Sequence, residues 1–307
     1  MSAHVPVMLR EVVEAVSPKD GEIYVDGTFG NGGYSLALLQ AADCRVIGID
    51  RDDTVRAKAE ALMKEYPGRF EFLQGPFGDM ERLLKQIGID AVHGVVLDIG
   101  VSSMQVDTPE RGFSFRFGGP LDMRMDRTAL LTAADVVNTY EEEALANIIY
   151  QYGEERLSRV IAKAVVMDRA KKKFTTTEEL ASLISRVVRR SKDGIHPATR
   201  TFQAIRIHVN DELGELSRAL EAAERLLVPG GRLVVVSFHS LEDRMVKRFL
   251  QERSGKASSE ANRHMPEMAA RLATFTLPKP EKRLPTQEEC GANPRARSAK
   301  LRMGVRL

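Results

Sequence analysis

Asp26-Gly27-Thr28-Phe29-Gly30-Asn31-Gly32-Gly33-Tyr34-Ser35 is the stretch that decides the fold. The apolar run 23–25 before it predicts a buried strand, and the apolar run 36–39 after it predicts the start of a helix. Its glycines allow positive φ and a close approach of a ligand to the backbone. Free N–H groups at the helix start are expected to face that ligand. The stretch is therefore predicted to be the ligand-binding turn of a strand–loop–helix element.

The alternation of predicted strands and helices continues along the chain. Strands are predicted at 45–50, 70–74 and 92–98, with helices at 52–66 and 79–86 between them. Four strands that alternate with helices are typical of a parallel sheet, because parallel strands need a crossover connection. The fold class is predicted to be α/β, a doubly wound, Rossmann-like parallel sheet.

After Asp98 the alternation stops, and the next strand is predicted only at 231–237. One crossover helix would need far fewer residues, so an inserted helical domain is predicted at 106–205. Residues 1–105 and 206–307 are then one discontinuous α/β domain. Further elements are predicted as helices at 4–16, 141–150, 154–170, 177–190 and 241–251, one long helix from about 202 to 227, and antiparallel strands at 272–277 and 299–306. Segment 252–267 is predicted to be a polar loop.

Composition excludes several classes of protein. Apolar residues make up 43% of the 307 residues and charged residues 29%, as in ordinary globular proteins. No apolar run approaches the roughly 20 residues that span a bilayer, and the first residues lack the features of a signal peptide. Two cysteines cannot form a zinc site alone, so no metal site is predicted. The expected location is cytoplasmic, with no membrane partner.

Acidic and aromatic side chains follow the predicted strands. Asp26, Asp50, Phe77 and Asp98 come at or just after successive strand ends, where open α/β sheets bind their ligands. Asp50 lies 24 residues after Asp26, about the offset at which an acid binds ribose hydroxyls in nucleotide-binding α/β folds. Phe77 can flank a purine ring. The set predicts a cofactor that contains adenosine.

The loop itself selects among such cofactors. The dinucleotide pattern G-x-G-x-x-G needs a third glycine at position 35, which is Ser35. The loop also begins with Asp26, and an acid there repels pyrophosphate but suits a cationic amino-acid tail. S-adenosyl-L-methionine, which carries a sulfonium and an ammonium, is favoured. NAD(P) and a turn without a ligand remain as alternatives.

Two further stretches can supply chemistry at the same edge of the sheet. Asp98, Ser102, Ser103 and Gln105 can accept hydrogen bonds from a base amine or hold the cofactor. The alternative is that the two serines cap a turn. His239, in a stretch that follows the strand at 231–237, can orient the base or bind phosphate. Its alternative is a place in the N-cap region of the next helix, with Ser240 as the cap.

At these residues the chain resembles the bacterial 16S rRNA (cytosine-N4) methyltransferases, the RsmH/MraW family. The matching motifs span nearly the whole sequence in family order. They are His4-x-Pro-Val-Met-Leu9, Asp26-Gly-Thr-Phe-Gly-Asn-Gly-Gly33, Ile49-Asp-Arg-Asp52, Gly75-Pro-Phe77, Asp98-Ile-Gly-Val-Ser-Ser103, Arg111-Gly-Phe-Ser-Phe115, Gly119-Pro-Leu-Asp-Met-Arg-Met-Asp126, Thr199-Arg-Thr-Phe-Gln-Ala204, Ser237-Phe-His-Ser-Leu-Glu-Asp-Arg244 and Asn293-Pro-Arg-Ala-Arg-Ser-Ala-Lys-Leu-Arg302.

The resemblance implies methylation of N4 of a decoding-centre cytidine in 16S rRNA, with S-adenosylmethionine as donor and the small ribosomal subunit as the setting. It also implies that residues 1–105 and 206–307 form a discontinuous S-adenosylmethionine-dependent methyltransferase domain, and that 106–205 are an inserted helical substrate-recognition domain. The cofactor residues it implies are Gly32, Gly33, Tyr34, Asp50, Phe77, Asp98 and Gln105. Position 34 is often His in the family, so a side-chain role of Tyr34 stays open. The Asp/Asn-Pro-Pro-Tyr/Phe motif of many DNA amino-methyltransferases is absent. The catalytic candidates are therefore Asp98, Ser102, Ser103 and His239.

RNA binding at a net charge of +2 requires local basic patches. The candidate cations are Arg111, Arg116, Arg124, Arg127, the run 169–173, Arg189, Arg190, Arg295, Arg297, Lys300 and Arg302. Phe113, Phe115 and Phe117 can stack on bases, or they can fix the insertion to its own core. A methyltransferase acting on another nucleic acid, an NAD(P)-dependent oxidoreductase and a silent RNA-binding protein remain as alternatives. The sequence leaves the oligomeric state open, a homodimer included.

Overall fold

The structure is a computed structural model that describes residues 6–189, 194–255 and 272–307. His4 and Arg190 lie outside these ranges, as does most of the loop expected at 252–267. The chain forms two compact units. We call Met1–Gly100 with Leu213–Leu307 the α/β unit, and Val101–Glu212 the helical unit. The insertion expected at 106–205 falls within the helical unit.

Seven strands form the sheet of the α/β unit, in the order β3-β2-β1-β4-β5-β7-β6. Strands β1 to β5 are parallel, while β7 is antiparallel to both β5 and β6. The bounds are β1 Ile23–Asp26, β2 Arg45–Asp50, β3 Phe70–Gln74, β4 Val92–Asp98, β5 Leu227–Ser237, β6 Phe275–Thr276 and β7 Lys300–Arg306. The predicted α/β class and the antiparallel finish of the sheet are confirmed.

The helices of the described ranges cover both units. Their bounds are α1 Leu9–Val16, α2 Gly33–Ala41, α3 Arg56–Glu65, α4 Met80–Gln86, α5 Ser103–Asp107, α6 Ala133–Thr139, α7 Glu142–Gly153, α8 Ser158–Arg169, α9 Thr177–Val187, α10 Thr199–Asn210, α11 Glu212–Leu226, α12 Ser240–Arg253 and α13 Gln287–Ala292. Over the described ranges, none has the length and hydropathy that a membrane span requires.

The strand order places one topological switch point beside β1. The chain passes outward from β1 to β2 and β3, and then returns to form β4 on the other side of β1. Ligands of such sheets bind at the carboxyl ends of the strands next to the switch point. The two strands that flank it end in Asp26 and Asp98, and Asp26 pairs with Val96 in register.

Each unit has its own apolar core. In the α/β unit, Val95 and Leu97 of β4 and Leu216 and Leu220 of α11 are fully or almost fully buried. In the helical unit, Leu145 of α7 is buried in a core that α6 to α10 build. Burial of one such side chain contributes about 1.5–3 kcal/mol, so each core can hold its unit together.

The single long helix expected from about 202 to 227 is wrong. Asp211 adopts φ 49° and ψ 38°, which ends α10, and α11 begins at the next residue. Asp tolerates this left-handed conformation better than most residues do. Arg206 spans the break with two bonds to Glu212, at 2.7 and 2.8 Å. The apolar stripe continues across the break, which is why the sequence pattern looked like one helix.

Candidate functional site

The glycine loop between β1 and α2 uses most of its amide groups internally. The N–H groups of Gly27 and Phe29 donate to the carbonyls of Val96 and Ile49, both at 2.9 Å. Gly30 N donates to Asp50 Oδ2 at 2.8 Å, and Ser35 N donates to Asp26 Oδ2 at 3.1 Å. The expectation of free N–H groups at the start of α2 is therefore wrong for Ser35, and for Gly33 and Tyr34 it stays a prediction. A loop whose donors already bond to carboxylates offers little to a pyrophosphate.

The glycines of the loop fall into two groups, one with positive φ and one that allows close packing. Gly30 and Gly32 have φ of 51° and 77°, in the region that favours glycine. Gly27 and Gly33 do not have positive φ, contrary to the expectation that all four would use this freedom. They serve close packing instead, because a Cβ would lie 2.6 Å from Leu97 Cδ2 at Gly27 and 2.1 Å from Pro6 Cγ at Gly33.

Asp26 fastens the loop to the helix that follows it. Its residue is fully buried, and Oδ2 accepts from Ser35 Oγ at 2.7 Å as well as from Ser35 N. Oδ1 accepts from Thr28 N at 3.3 Å. Burial raises the pKa of Asp26 to about 6, and the bond from Ser35 opposes that rise. Ser35 thus replaces the missing third glycine with a hydroxyl donor to Asp26.

Asp98 is tied to the same loop but leaves an oxygen without a partner. Its N–H donates to Thr28 Oγ1 at 2.7 Å, which joins the ends of β1 and β4. Its Oδ1 is inaccessible and has no hydrogen-bond partner in the described chain. Burial, together with the charges of Asp26 and Glu242, raises the pKa of Asp98 to about 8. A shielded, unsatisfied carboxylate oxygen at a switch point is suited to a cationic or N–H-bearing ligand.

The side chain of Tyr34 has a role of its own. Tyr34 is 3% exposed, and its hydroxyl donates to the Val7 carbonyl. Burial raises its pKa, and the nearby carboxyls of Asp98 and Asp26 add to the rise. The Tyr34 hydroxyl lies near Asp98 and partly offsets the rise of the Asp98 pKa. The ring thus stands between the segment at Pro6–Met8 and Asp98.

Asp50 ends β2 and organises the loops around it. Its two oxygens accept from Gly30 N at 2.8 Å and from Asp52 N at 2.9 Å. Burial raises its pKa, and these two backbone bonds oppose the rise. Each carboxylate oxygen has two lone pairs, so Asp50 can still accept from a ribose hydroxyl. Phe77, after β3, is 8% exposed and packs in the core of the α/β unit, where it borders the site with little of its ring in the open.

His239 is the N-cap of α12, so the expectation that Ser240 caps this helix is wrong. The amides of Phe238 and His239 donate to Glu242 Oε2 at 2.8 and 3.2 Å. His239 Nε2 lies 2.9 Å from Glu242 Oε1, although the pair lacks the geometry of a hydrogen bond. Glu242 is fully buried and raises the pKa of Asp98. The structure therefore brings Asp26, Asp98 and Glu242 into electrostatic contact within the α/β unit.

Ser102 and Gln105 belong to the helical unit, where they form a capping box on α5. Ser102 Oγ accepts from Gln105 N at 3.2 Å, and Gln105 Oε1 accepts from Ser102 N at 3.0 Å. The cap interpretation is thus confirmed for Ser102, and both side chains have a structural role. The side chain of Ser103 lies outside the described part of the chain. Roles of these three residues at a cofactor or substrate remain predictions.

Several candidate RNA-binding cations are engaged inside the protein. Arg111 donates to the carbonyls of Arg124 and Met125, and Arg124 pairs with Asp122 at 2.7 Å. Arg302 and Lys300 both pair with Asp243, at 2.6 and 3.2 Å. The candidates exposed to solvent are Arg116, Arg127, Lys171, Lys172, Lys173, Arg189, Arg295 and Arg297. Of these, Lys171 and Lys172 have acidic partners, and Arg297 Nε donates to the Cys290 carbonyl at 3.3 Å.

Three residues of the site escaped the sequence analysis, namely Thr28, Ser35 and Glu242. Thr28 and Ser35 lie inside the glycine loop, but nothing in the pattern says which side chains bond to Asp98 and Asp26. Glu242 had a readable signal, because a Glu three residues after an N-cap completes a capping box. Its influence on Asp98 depends on the fold and has no signal in the sequence.

Comparison with known proteins gives consistent matches. The sequence pattern of the MraW methylase family matches residues 1–306. The Ribosomal RNA small subunit methyltransferase H of Paramagnetospirillum magneticum is 58% identical over 305 residues, covering 99% of this chain and 95% of that protein. The protein of the same name in Rhodospirillum rubrum is 56% identical and covers 98% and 94%. The structure of an rRNA methylase from Streptococcus thermophilus covers 99% of both chains at 10% identity and a TM-score of 0.44.

Proposed function

This chain belongs to the MraW methylase family, and on that premise we propose that it methylates the N4 amine of a decoding-centre cytidine in 16S rRNA, using S-adenosylmethionine. Relatives named Ribosomal RNA small subunit methyltransferase H match over almost the whole chain and support the substrate class. The observation that carries the proposal is the unpartnered Oδ1 of Asp98 at the switch point.

The residues around Asp98 fit a cationic cofactor. Asp26, Asp98 and Glu242 act on one another electrostatically, and no cation is among the groups that shift the pKa of Asp98 or Asp26 most. Bringing a positive charge beside such carboxyls lowers their pKa values and favours their ionised forms. A negatively charged phosphate group would instead raise these pKa values and disfavour the ionised forms of the carboxyls. The site thus fits a sulfonium or ammonium better than the pyrophosphate of NAD(P).

Each residue of the α/β unit then has a defined task. Asp50 accepts from ribose hydroxyls with the lone pairs that Gly30 and Asp52 leave free. Phe77 contributes an apolar wall at the end of β3. Asp26 holds the loop against α2, and Tyr34 holds the segment at Val7 over it. The cofactor, when bound, supplies a methyl group on a positively charged sulfur.

Methyl transfer to a base amine asks the protein mainly for alignment and for a hydrogen-bond acceptor. The chemistry that the cofactor would supply is a methyl group for the neutral exocyclic amine, whose nitrogen would gain an N–C bond and lose one proton. Asp98 Oδ1 accepts a hydrogen bond from the amine and, once the N–C bond forms, takes up the proton that the nitrogen must lose. No covalent cysteine intermediate is needed, and Cys44 is buried against Leu38.

A methyl-transfer assay tests this function directly. Small subunits from bacterial cells that lack the activity are incubated with the protein and tritiated-methyl S-adenosylmethionine, and the rRNA is digested to nucleosides. Label in N4-methylcytidine of 16S rRNA is expected. Label in another nucleoside would correct the position, and unlabelled rRNA together with measurable cofactor binding would refute the substrate. Because assembling subunits are cytoplasmic, we also propose that location.

Calorimetry separates the remaining alternative. We expect S-adenosylmethionine to bind and NAD(P) to show no heat of binding, because the loop amides already bond to carboxylates and carbonyls. Binding of NAD(P) with an affinity similar to that of S-adenosylmethionine would favour the oxidoreductase.

A further inference from the structure

One aromatic side chain of the helical unit stays exposed where its two neighbours are packed. Phe115 stacks on His196 with ring centroids 4.6 Å apart and meets the edge of Phe202 at 4.9 Å. Phe113 lies under the Arg111 guanidinium, 5.7 Å from it, and packs against the core of the unit. The interpretation that these rings fix the insertion is thus confirmed for two of the three. Phe117, two residues further on, is 54% exposed.

The loop that carries Phe117 is held at both ends. Gly112 has φ 71°, and a Cβ there would lie 2.1 Å from the Pro120 carbonyl oxygen. A Cβ at Gly119 would lie 1.9 Å from the Pro109 carbonyl oxygen. Pro120 also forms an antiparallel bridge with Thr176. The backbone on each side of Phe117 is therefore fixed by close contacts, so the ring is presented on a preorganised loop.

The charges near the loop favour an anionic partner. Arg116 is exposed, next to Phe117. Leu121 N donates to the Thr175 carbonyl at 2.9 Å, which brings the backbone just after the loop next to the end of the run Lys171–Lys173. Lys171 and Lys172 have acidic partners, whereas Lys173 is exposed. A negative charge also lies near this loop, because Glu178 Oε2 is 3.3 Å from the place where a Cβ on Gly118 would lie.

We propose that Phe117 stacks on an unpaired base of the substrate RNA while Arg116 contacts the adjoining phosphate. This rests on the proposed function and assigns part of its RNA-binding surface. An aromatic ring among cations is the arrangement that binds single strands, because every base offers a flat face to stack on. The sequence neighbours of Phe117 are Arg116, Gly118, Gly119 and Pro120, so no large apolar neighbour in this loop extends its ring into a patch of the kind that suits a protein partner.

Binding of a fluorescent single-stranded RNA of about ten nucleotides tests the assignment by anisotropy. Phe117→Ala is expected to weaken binding between about 5-fold and about 100-fold, and Phe117→Trp to restore it. Tyr150→Ala is the matched control, because Tyr150 is 60% exposed on α7 of the same unit and is not in this loop. Arg116→Ala is expected to weaken binding uniformly across sequences and to reduce the slope of log affinity against log salt by about one.

The outcomes separate this assignment from the proposed function. Wild-type affinity of Phe117→Ala for RNA, or an equal loss with Tyr150→Ala, overturns the stacking role even if rRNA is methylated. A Phe117→Ala loss that an RNA duplex of the same length shows equally also overturns it, because stacked bases offer no free face. Calorimetric affinity for S-adenosylmethionine is expected to stay at the wild-type value, and its loss would mean that the variant has misfolded and that Phe117→Leu must replace it.

Discussion

The carboxyl ends of β1 and β4 carry the same functional group in opposite situations. Asp26, at the end of β1, is surrounded by donors from Thr28 and Ser35. Asp98, at the end of β4, has an oxygen that no group in the described chain satisfies. Burial raises both pKa values, to about 6 and about 8 respectively. The extra rise at Asp98 reflects fewer compensating hydrogen bonds and two neighbouring carboxyls.

This difference indicates different roles for Asp26 and Asp98. A buried carboxyl with its donors in place is part of the scaffold, and its loss leaves those donors unpaired. A buried carboxyl with an empty acceptor site costs stability in the free protein and gains partners only with a ligand. We therefore expect Asp26 to matter for folding and Asp98 to matter for chemistry.

The largest effect is expected at Asp98. Asp98→Ala removes the acceptor for the amine and should lower the rate of methyl transfer by about 100-fold or more, the usual contribution of a positioned base. Single-turnover assays with saturating cofactor measure this rate. Asp98→Asn is the matched variant, since it keeps the size of the side chain but cannot take up a proton. A wild-type rate in both variants would remove Asp98 from the catalytic set.

Asp26 should show its effect in stability. Asp26→Ala leaves the buried donors of Ser35 unpaired and is expected to lower the free energy of unfolding by about 2 kcal/mol. Urea denaturation measures this change. Asp26→Asn keeps one acceptor oxygen and should lose less. If Asp26→Ala were as stable as the wild type while cofactor binding collapsed, the assignment of scaffold and chemistry would be reversed.

Asp50 lies between the two cases, because it bonds to the loop and keeps free lone pairs. Asp50→Ala is expected to weaken S-adenosylmethionine binding by roughly 10-fold to 100-fold, as a hydrogen bond to a charged group contributes about 1.5–3 kcal/mol. Calorimetry gives the affinity, and Asp50→Asn is a partial control, since its single amide oxygen can keep one of the two contacts to Gly30 and Asp52. An unchanged affinity would show that Asp50 does not bind the ribose.

The smallest expected effect is the slope of the free energy of unfolding against pH. The Asp98 pKa is raised from 3.8 to about 8, so between these values the native protein holds a proton that the unfolded chain releases. The free energy of unfolding should therefore fall as pH rises, by about 1 kcal/mol per pH unit. Between pH 7 and 8 Asp26 has largely finished titrating, since its pKa is about 6. Asp98→Asn should abolish its share of the slope there, and equal slopes in both proteins would contradict the assignment.

How much of this was predictable differs between backbone and side chains. The apolar runs predicted β1 to β4 and placed Asp26, Asp50 and Asp98 at strand ends, because periodicity and strand order follow from local sequence. The different roles of Asp26, Asp50 and Asp98 were not predictable. It depends on Thr28 and Ser35 bonding across the loop and on Glu242 approaching Asp98, contacts that exist only in the fold. The kink at Asp211 was missed for a related reason, since the apolar stripe runs on through it.

The contact that holds Met8 joins two residues that are far apart in the sequence and are therefore synthesised at different times. Met8 has φ 54°, which is uncommon for a side-chain-bearing residue and needs support from its surroundings. Its N–H donates to Glu289 Oε1 at 2.6 Å, a residue 281 positions later. During translation the glycine loop is therefore made long before the residue that secures the segment beside it. A nascent chain that has not yet reached Glu289 lacks the acceptor that the Met8 N–H uses in the folded protein.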